Sequence, residues 1–318
     1  MAALQYTLND YIAYIIVSNK KRLLVEGPDD NHLFNRLFDV FDKDRNRVDV
    51  DDASSLIGFS EPIGNREKVE LVCSKIKNTM YEKKLVGFVD REFRGFLWNP
   101  DLWDDIRCHQ VDGRVVWTRG HSIENYYFDF KTLKDPISTL SSTPYYRMAL
   151  DMLERNFETV IRLACAASLT GMEIGNYQIL RNVISWEVFK VSDGEISINL
   201  SNIASLCRKK KIEKALISQI IDRFPFWETL TFKADFDIVR WMCHGHMGLT
   251  FIWSSFQRMV FEVSLINGSK HPRKEIAHSL EARDEIKFIA CAKKWIERAL
   301  GNEDIFPFEV LTMLELVN

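Results

Sequence analysis

The sequence lacks the short motifs that mark several large enzyme classes. It contains no G-x-x-x-x-G-K-[ST] phosphate loop, no G-x-S-x-G nucleophile motif and no H-E-x-x-H zinc motif. The first absence indicates that the chain is not itself a P-loop NTPase. Any ATP-driven step would therefore need a separate protein, and the other two absences argue against serine hydrolases of the α/β class and zinc proteases.

Cysteine is scarce and the net charge is low. The six cysteines are widely separated and form no C-x-x-C pair. This spacing argues against a zinc ribbon or a compact disulfide framework and predicts buried thiols in a reducing cytosol. The formal net charge of −3 gives no general attraction to nucleic acid. Binding to nucleic acid would therefore depend on local basic patches.

No apolar run reaches the length of a membrane span. The apolar stretch near the start, Tyr11–Val17, is short, and the basic residues Lys20–Arg22 follow it instead of preceding it. This order does not fit a signal peptide. We therefore expect a cytoplasmic protein.

Strand and helix patterns alternate up to about residue 130. Short apolar runs predict strands, and apolar residues at spacings of three and four predict helices. This alternation indicates βαβ units, so we predict an α/β fold with a mostly parallel sheet flanked by helices. The predicted elements are strands at 23–25, 48–50, 85–89 and 115–118 and helices at 29–41 and 65–83.

The pattern changes after about residue 130. Pro136 and a cluster of Ser and Thr predict a linker over 131–143. Helical periodicity dominates beyond it, with a hairpin predicted at 188–200 around Asp193 and Gly194. We predict an α/β domain over 1–135 and a mainly helical domain for partner contact or dimerisation over 136–318. The predicted helices are 145–167, 212–224, 236–243, 249–263 and 280–300.

Acidic residues follow the predicted strands. The carboxyl ends of parallel strands meet at one edge of a sheet, where ligands bind. If the strand at 85–89 continues, its two following acids also point to one side of the pleat. Clustered carboxylates are tolerated when they share Mg²⁺ or Mn²⁺. We predict a metal site with Glu26, Asp90 and Glu92 as catalytic residues and metal ligands and with Glu124 as a further ligand.

The same acids also have structural interpretations. Glu26 can be a surface acid after a strand, and Glu124 can serve the dipole of a helix capped by Ser122. Asp90 and Glu92 can form a charged strand end that pairs with a neighbouring arginine. The sequence leaves these alternatives open.

Further residues are candidates for supporting the metal ligands or for binding phosphate. Asp30 can equally be a first-turn acid of a helix, and a run of bases is commonly only a solvated surface. Cys243–His246 is half of a zinc motif, and a turn before a helix at 249 is the better interpretation. The candidates are Asp30, Arg91, His121, Arg208, Lys209, Lys210 and Lys211.

Two levels of resemblance emerge from these motifs. An apolar strand ending in Glu-Gly, then a helix, then an apolar strand ending in an acid pair resembles the TOPRIM domain of topoisomerases, primases and OLD-type nucleases, over about residues 20–130. The segments L-L-V-E-G-P-D-D, G-F-V-D-R-E-F and H-S-I-E-N-Y-Y, with the helical tail, resemble the TOPRIM effectors of PARIS anti-phage defence systems.

This resemblance implies a Mg²⁺-dependent endoribonuclease. It implies that an AAA-type ATPase sensor of the AriA kind holds the effector inactive, and that the released homodimer cleaves host tRNA and stops translation. Glu26 takes the position of the TOPRIM glutamate, Asp90 and Glu92 that of the metal-holding pair, and Glu124 that of the acid after the last strand. The chain departs from the family at Glu92, where Asp is common, and the extra methylene changes the reach of the carboxylate.

Two other functions use the same features. The chain could be a noncatalytic TOPRIM adaptor of an ATPase complex, or a DNA nickase. Retention of all four acids favours an enzyme, since a docking platform has no use for clustered like charge. RNA and DNA are not separated by the residues, because the sequence contains no recognisable base-stacking motif or groove-reading helix.

Overall fold

The computed structural model describes residues 5–41, 47–280, 284–299 and 307–317. The chain forms two compact units, which we describe separately. Unit 1 comprises Met1–Arg91, Ile106–Arg119 and Phe288–Asn318, and unit 2 comprises Glu92–Asp105 and Gly120–Lys287.

The strands and helices are numbered in chain order. The strands are β1 (Tyr6–Thr7), β2 (Lys21–Val25), β3 (Val48–Asp52), β4 (Leu56–Ile57), β5 (Leu85–Val89), β6 (Phe96–Leu97), β7 (Trp103–Asp104), β8 (Gln110–Asp112), β9 (Val115–Trp117), β10 (Phe189–Ser192) and β11 (Glu195–Ile198). The α-helices are α1 (Leu8–Val17), α2 (Pro28–Phe41), α3 (Asn65–Ile76), α4 (Phe130–Leu140), α5 (Tyr146–Glu173), α6 (Tyr177–Val183), α7 (Leu200–Lys209), α8 (Lys214–Lys233), α9 (Phe236–Met242), α10 (Gly245–Ile266), α11 (Pro272–Ala277), α12 (Asp284–Ala299) and α13 (Phe308–Met313).

The sheet of unit 1 has the strand order β3-β2-β5-β9-β8. The first four strands run parallel, and β8 pairs antiparallel with β9. Strand β5 is a continuous apolar run, and β2 is apolar over residues 23–25 after Lys21 and Arg22, as expected for central parallel strands covered on both faces. The predicted α/β class and mostly parallel sheet are confirmed.

Helices α2 and α3 cover this sheet through apolar faces. The Phe34 ring of α2 meets Phe88 of β5 edge to face, with ring centroids 4.7 Å apart. The side chains of Val69 and Cys73 on α3 lie very close to β5. A Cβ at Gly87 would lie 2.7 Å from Val69 Cγ1 and 2.9 Å from Cys73 Sγ. Glycine at position 87 therefore permits the close helix–sheet contact.

Several predicted boundaries are wrong; for example, the helix predicted at 212–224 spans Lys214–Lys233. The helix predicted at 65–83 ends at Ile76, because Asn78 adopts a left-handed conformation with φ of 63°. The segment predicted as a linker contains α4, even though Pro136 lies inside it. Asp129 caps this helix, and Leu133, Pro136 and Ile137 are buried. Burial of that apolar face outweighs the cost of one interior proline.

Unit 2 is built mainly around the long helices α5 and α10. Both have extensive buried faces and pack against each other. The predicted hairpin is confirmed as β10 and β11, which pair antiparallel, and Asp193 and Gly194 both have positive φ, as a two-residue hairpin turn requires. In the described part of the chain, no helix is both long enough and apolar enough to cross a bilayer.

The two units do not divide the chain at the predicted 135/136 boundary. Residues 92–105 and 120–135 belong to unit 2, whereas the chain from Phe288 onward belongs to unit 1. Within unit 1, α13 packs near β5, and Arg114 Nη2 donates a hydrogen bond to the Met313 carbonyl at 3.2 Å. Periodicity reports local structure, while unit membership depends on contacts between residues far apart in sequence.

Candidate functional site

The carboxyl ends of β2 and β5 bring Glu26 and Asp90 together in unit 1. These strands are parallel neighbours, with Val25 paired to Phe88, so the residues that follow them emerge at the same edge. Glu26 Oε1 accepts a hydrogen bond from the Asp90 backbone N–H at 2.7 Å. Both residues are partly exposed. Two of the predicted acids therefore lie side by side where a ligand can reach them.

The turn from β2 into α2 is ordered by Asp30. This residue is buried, and its Oδ2 accepts a hydrogen bond from the Gly27 backbone N–H at 3.2 Å. An acid in the first turn also interacts favourably with the positive end of the helix dipole. Among the described residues, none apart from the adjoining ones has an atom within 4 Å of the position that a Cβ on Gly27 would occupy. Asp30 thus orders a turn whose backbone at Gly27 is open to approach.

Arg91 ties the ends of β5 and β9 together inside unit 1. Its backbone N–H donates to Thr118 Oγ1 at 2.8 Å, and its Nη1 donates to the Arg119 carbonyl at 2.7 Å. The side chain is 0% exposed. A guanidinium without exposed surface positions the strand ends and does not meet a phosphate that arrives from solvent.

Glu92 does not continue strand β5. The strand ends at Val89, and Glu92 lies in a turn with a left-handed φ of 51°. The expectation that Asp90 and Glu92 share one side of a continuing strand is therefore wrong. Glu92 is exposed and belongs to unit 2, where its backbone N–H donates to the His121 carbonyl at 2.7 Å.

Glu124 is a buried acid of unit 2 with a histidine partner. It is 4% exposed, its Oε1 lies 3.1 Å from His246 Nδ1, and its Oε2 accepts a hydrogen bond from Ser122 Oγ at 2.6 Å. The His246 side chain is 43% exposed. A buried carboxylate that fixes one ring nitrogen of a more exposed imidazole sets the orientation and tautomer of that ring. The contacts of Glu124 favour this role over that of a metal ligand.

The chain places His246 here through a close approach of helix α10. Asn125 Nδ2 donates to the carbonyls of Arg240 at 2.6 Å and Cys243 at 2.7 Å, which fixes the start of the helix. A Cβ at position 245 would lie 2.2 Å from Ser122 Oγ, so only glycine fits there. The sequence predicted a turn over Cys243–His246 and a helix from residue 249. The helix α10 instead begins at Gly245, four residues earlier, so the turn is shorter than predicted.

The predicted candidate His121 lies beside His244, with ring centroids 4.6 Å apart. Burial, reinforced by the neighbouring histidines, holds the pKa of His121 well below 6.5. Burial also lowers the pKa of His244 to about 4, although Glu124 acts in the opposite direction. Both rings are therefore neutral at pH 7 and do not provide positive charge for a phosphate.

Strand β3 carries an acid pair that the sequence interpretation missed. The Arg22 side chain is 2% exposed, and it pairs with Asp51 at 2.6 Å and with Asp49 at 3.2 Å. Its guanidinium carbon lies 3.8 Å from the centre of the Tyr14 ring, and Tyr11 donates its hydroxyl to Asp51 at 2.8 Å. The spacing of Asp49 and Asp51, two residues apart on one strand, was the sequence signal that both side chains point to the same face. Because both pair with the buried Arg22, we interpret them as structural residues.

The predicted basic cluster lies on the surface of unit 2, at the end of α7. Arg208, Lys209, Lys210 and Lys211 are all exposed. A cavity of about 580 Å³ between α7 and α8 is lined by Arg208, Lys214 and the acid Asp222, together with apolar and hydroxyl side chains. Exposed cations at this density suit contact with a phosphate backbone.

The donor set of unit 1 fits magnesium. Mg²⁺ is commonly held by one or two carboxylates, and water and substrate phosphate complete its coordination. Glu26 and Asp90 supply two such carboxylates at one edge. Within residues 5–41, 47–280, 284–299 and 307–317, no three His, Cys, Asp or Glu side chains gather in a metal-binding arrangement. A fully protein-enclosed metal centre is therefore not found in the described residues.

No protein-family model matches the sequence, and no curated protein matches it either.

Proposed function

We propose that this protein is a Mg²⁺-dependent TOPRIM endoribonuclease, an effector of anti-phage defence that cleaves host tRNA. One observation carries the proposal: the hydrogen bond of 2.7 Å between Glu26 Oε1 and the Asp90 N–H, which joins two strand-end acids at the ligand-binding edge of a parallel sheet. The motif resemblance supplies the substrate class and the defence role.

The carboxylates of unit 1 have distinct tasks in this proposal. Bound Mg²⁺ or Mn²⁺ would polarise the scissile phosphate and stabilise the leaving oxygen. Asp90 would hold the metal, and Glu26 would be a second ligand or the general base for the attacking water. The backbone N–H that donates to Glu26 stabilises the ionised carboxylate, which is the form that either task requires.

The predicted residues Glu92, Glu124 and Arg208–Lys211 belong to unit 2 and have separate roles in the proposal. The resemblance assigns Glu92 to the metal-holding pair, and that assignment stays a prediction. We assign Glu124 to the orientation of His246 because both of its carboxylate oxygens have partners in unit 2. The cluster Arg208–Lys211 provides local positive charge that attracts phosphate, whereas the net charge of the whole chain is negative.

We further propose that an AAA-type ATPase holds the protein inactive and that the released form is a homodimer. Exposed apolar side chains on α8 and α10 suit such contacts: Phe226, Phe232, Leu265 and Ile266 are 46%, 45%, 47% and 78% exposed. A two-fold dimer is the commonest closed assembly of soluble proteins. It would double the basic surface available to one RNA.

A noncatalytic adaptor is the alternative function. The exposed apolar side chains of α8 and α10 would serve docking to a partner without any catalysis. The adaptor and the nuclease differ in what the purified chain does to RNA.

The test is incubation of the purified full chain with labelled tRNA and with duplex DNA, with and without Mg²⁺. We expect Mg²⁺-dependent shortening of tRNA by the wild type and none by Glu26→Gln or Asp90→Asn. Asp112→Asn is the matched control, because Asp112 is an exposed acid of unit 1 at the turn that precedes β9, at the opposite edge of the sheet. Cleavage of DNA alone would identify a nickase. Full activity of a folded Glu26→Gln protein would exclude this site.

A further inference from the structure

Unit 2 contains a contiguous array of flat rings that the sequence does not reveal. His244 lies 4.6 Å from His121 and 5.0 Å from Tyr177 between ring centroids. Phe93 lies 4.7 Å from His121 and 6.2 Å from Tyr177, and its plane is within 13° of the Tyr177 plane. Phe93, Tyr177 and His244 are each partly exposed. The rings of the array therefore pack against one another and still leave ring surface that a ligand can reach.

Polar atoms in this array find no partner in the described protein. His121 Nδ1 and His244 Nδ1 are buried, and neither has a hydrogen-bond partner among the described residues. His121 is only 6% exposed as a whole. Buried polar groups are nearly always hydrogen-bonded in folded proteins, so two such atoms in one ring array leave a hydrogen-bonding capacity that water or a bound group with a hydrogen-bonding edge would satisfy.

The charge of the array selects the kind of ligand. The charged groups near the rings are of both signs. The acids Glu92 and Glu124 lie near Tyr177 and His244, and the base Arg181 also lies near His244. Acids beside the rings disfavour phosphate, whereas the aromatic surfaces suit a flat group that carries no charge.

We propose that Phe93, Tyr177 and His244, supported by His121, form a binding site for an unpaired nucleobase. RNA-binding proteins recognise splayed bases by stacking them on Phe, Tyr, Trp or His rings and by hydrogen-bonding their edges. The rings of the array supply the stacking surface, and the two Nδ1 atoms supply contacts to the base edge. That the base belongs to an RNA strand rests on the proposed function. The site itself lies wholly within unit 2.

The test compares two ligands that differ only in their bases. A labelled single-stranded RNA oligomer and an abasic ribose-phosphate oligomer of the same length are titrated with the full chain in EDTA, which prevents metal-dependent cleavage. Tyr177→Ala and His244→Ala should weaken binding of the RNA by about 5- to 150-fold, the range for loss of one base–aromatic stack. Neither variant should change binding of the abasic oligomer or the salt dependence of RNA binding.

Matched variants separate ring loss from general damage. Tyr177→Phe keeps the ring and should bind as the wild type does. Tyr146→Ala removes a partly exposed aromatic ring elsewhere in unit 2, at the start of α5, and should also leave RNA binding unchanged. A nucleoside monophosphate is included as a competitor. Competition at concentrations near those of the oligomer would assign the site to a free nucleotide instead of an RNA base.

Each outcome decides between the two proposals. Equal affinity of the wild type for the RNA and for the abasic oligomer overturns the nucleobase site, whatever the cleavage assay gives. Equal weakening of both ligands by Tyr177→Ala overturns it as well. Base-dependent binding by a wild-type protein that cleaves no RNA would keep the nucleobase site and overturn the proposed nuclease.

Discussion

Acidification should destabilise unit 2 through His244. Burial lowers the pKa of His244 from 6.5 to about 4 in the folded protein, with further contributions from His246 and Arg181. The folded state thus disfavours protonation, and the unfolded state binds the extra proton. The stability that the neutral ring contributes is complete above the unfolded pKa of 6.5 and is lost as pH falls from there through about 4.

The size of this loss follows from the shift. One pKa unit corresponds to about 1.4 kcal/mol, so acidification from about pH 7 to pH 4 should remove about 3 kcal/mol of unfolding free energy through this one residue. His121 acts in the same direction, because burial also holds its pKa well below 6.5. A loss of this size is a large part of the usual stability of a domain.

Urea unfolding followed by tryptophan fluorescence across this pH range measures the effect. His244→Asn cannot take up the proton, so its unfolding free energy should fall less steeply with pH than that of the wild type. His271→Asn is the control, because His271 is exposed, and it should follow the wild-type pH dependence. The reasoning is refuted if His244→Asn and the wild type lose the same free energy between the two pH limits.

Four further predictions follow from individual contacts. Asp90→Asn should weaken Mn²⁺ binding in calorimetry, because a neutral amide does not offset the charge of the ion, and unchanged affinity would place the metal elsewhere. Asp51→Asn should lower the free energy of urea unfolding by about 2 to 3 kcal/mol, because it leaves the buried Arg22 without its closest partner. Asp49→Asn should lower it by less than about 1 kcal/mol, because the contact of Asp49 with Arg22 is longer and more exposed. Equal losses for the two variants would contradict this ranking. Replacing Arg208–Lys211 with alanine should weaken RNA binding and reduce the slope of log affinity against log salt by up to about 3, while Mn²⁺ affinity stays the same. Sedimentation of the active protein should give a dimer at working concentration, and an active monomer would exclude dimerisation as the switch.

The sequence was sufficient for the fold class and for one pair of acids. Apolar runs and helical spacing depend on local side-chain patterns, so they predicted β2, β5 and α2 with small boundary errors. The convergence of Glu26 and Asp90 follows from topology alone, because parallel neighbouring strands end at one edge. The errors arose where a local signal met a competing one, as at Pro136, where burial of the helix face outweighs the proline.

Only the tertiary structure decided the partners of the remaining candidates. Glu92 lies in a left-handed turn, whereas the sequence pattern had suggested that strand β5 continues through it. Arg91 is buried and bonds to the end of β9, so it does not make the phosphate contact that was predicted. The pairing of Glu124 with His246 joins residues far apart in sequence, and it depends on a glycine at the start of α10. A sequence pattern reports which groups are present and how they repeat, whereas hydrogen bonding, burial and pKa depend on distances that packing alone sets.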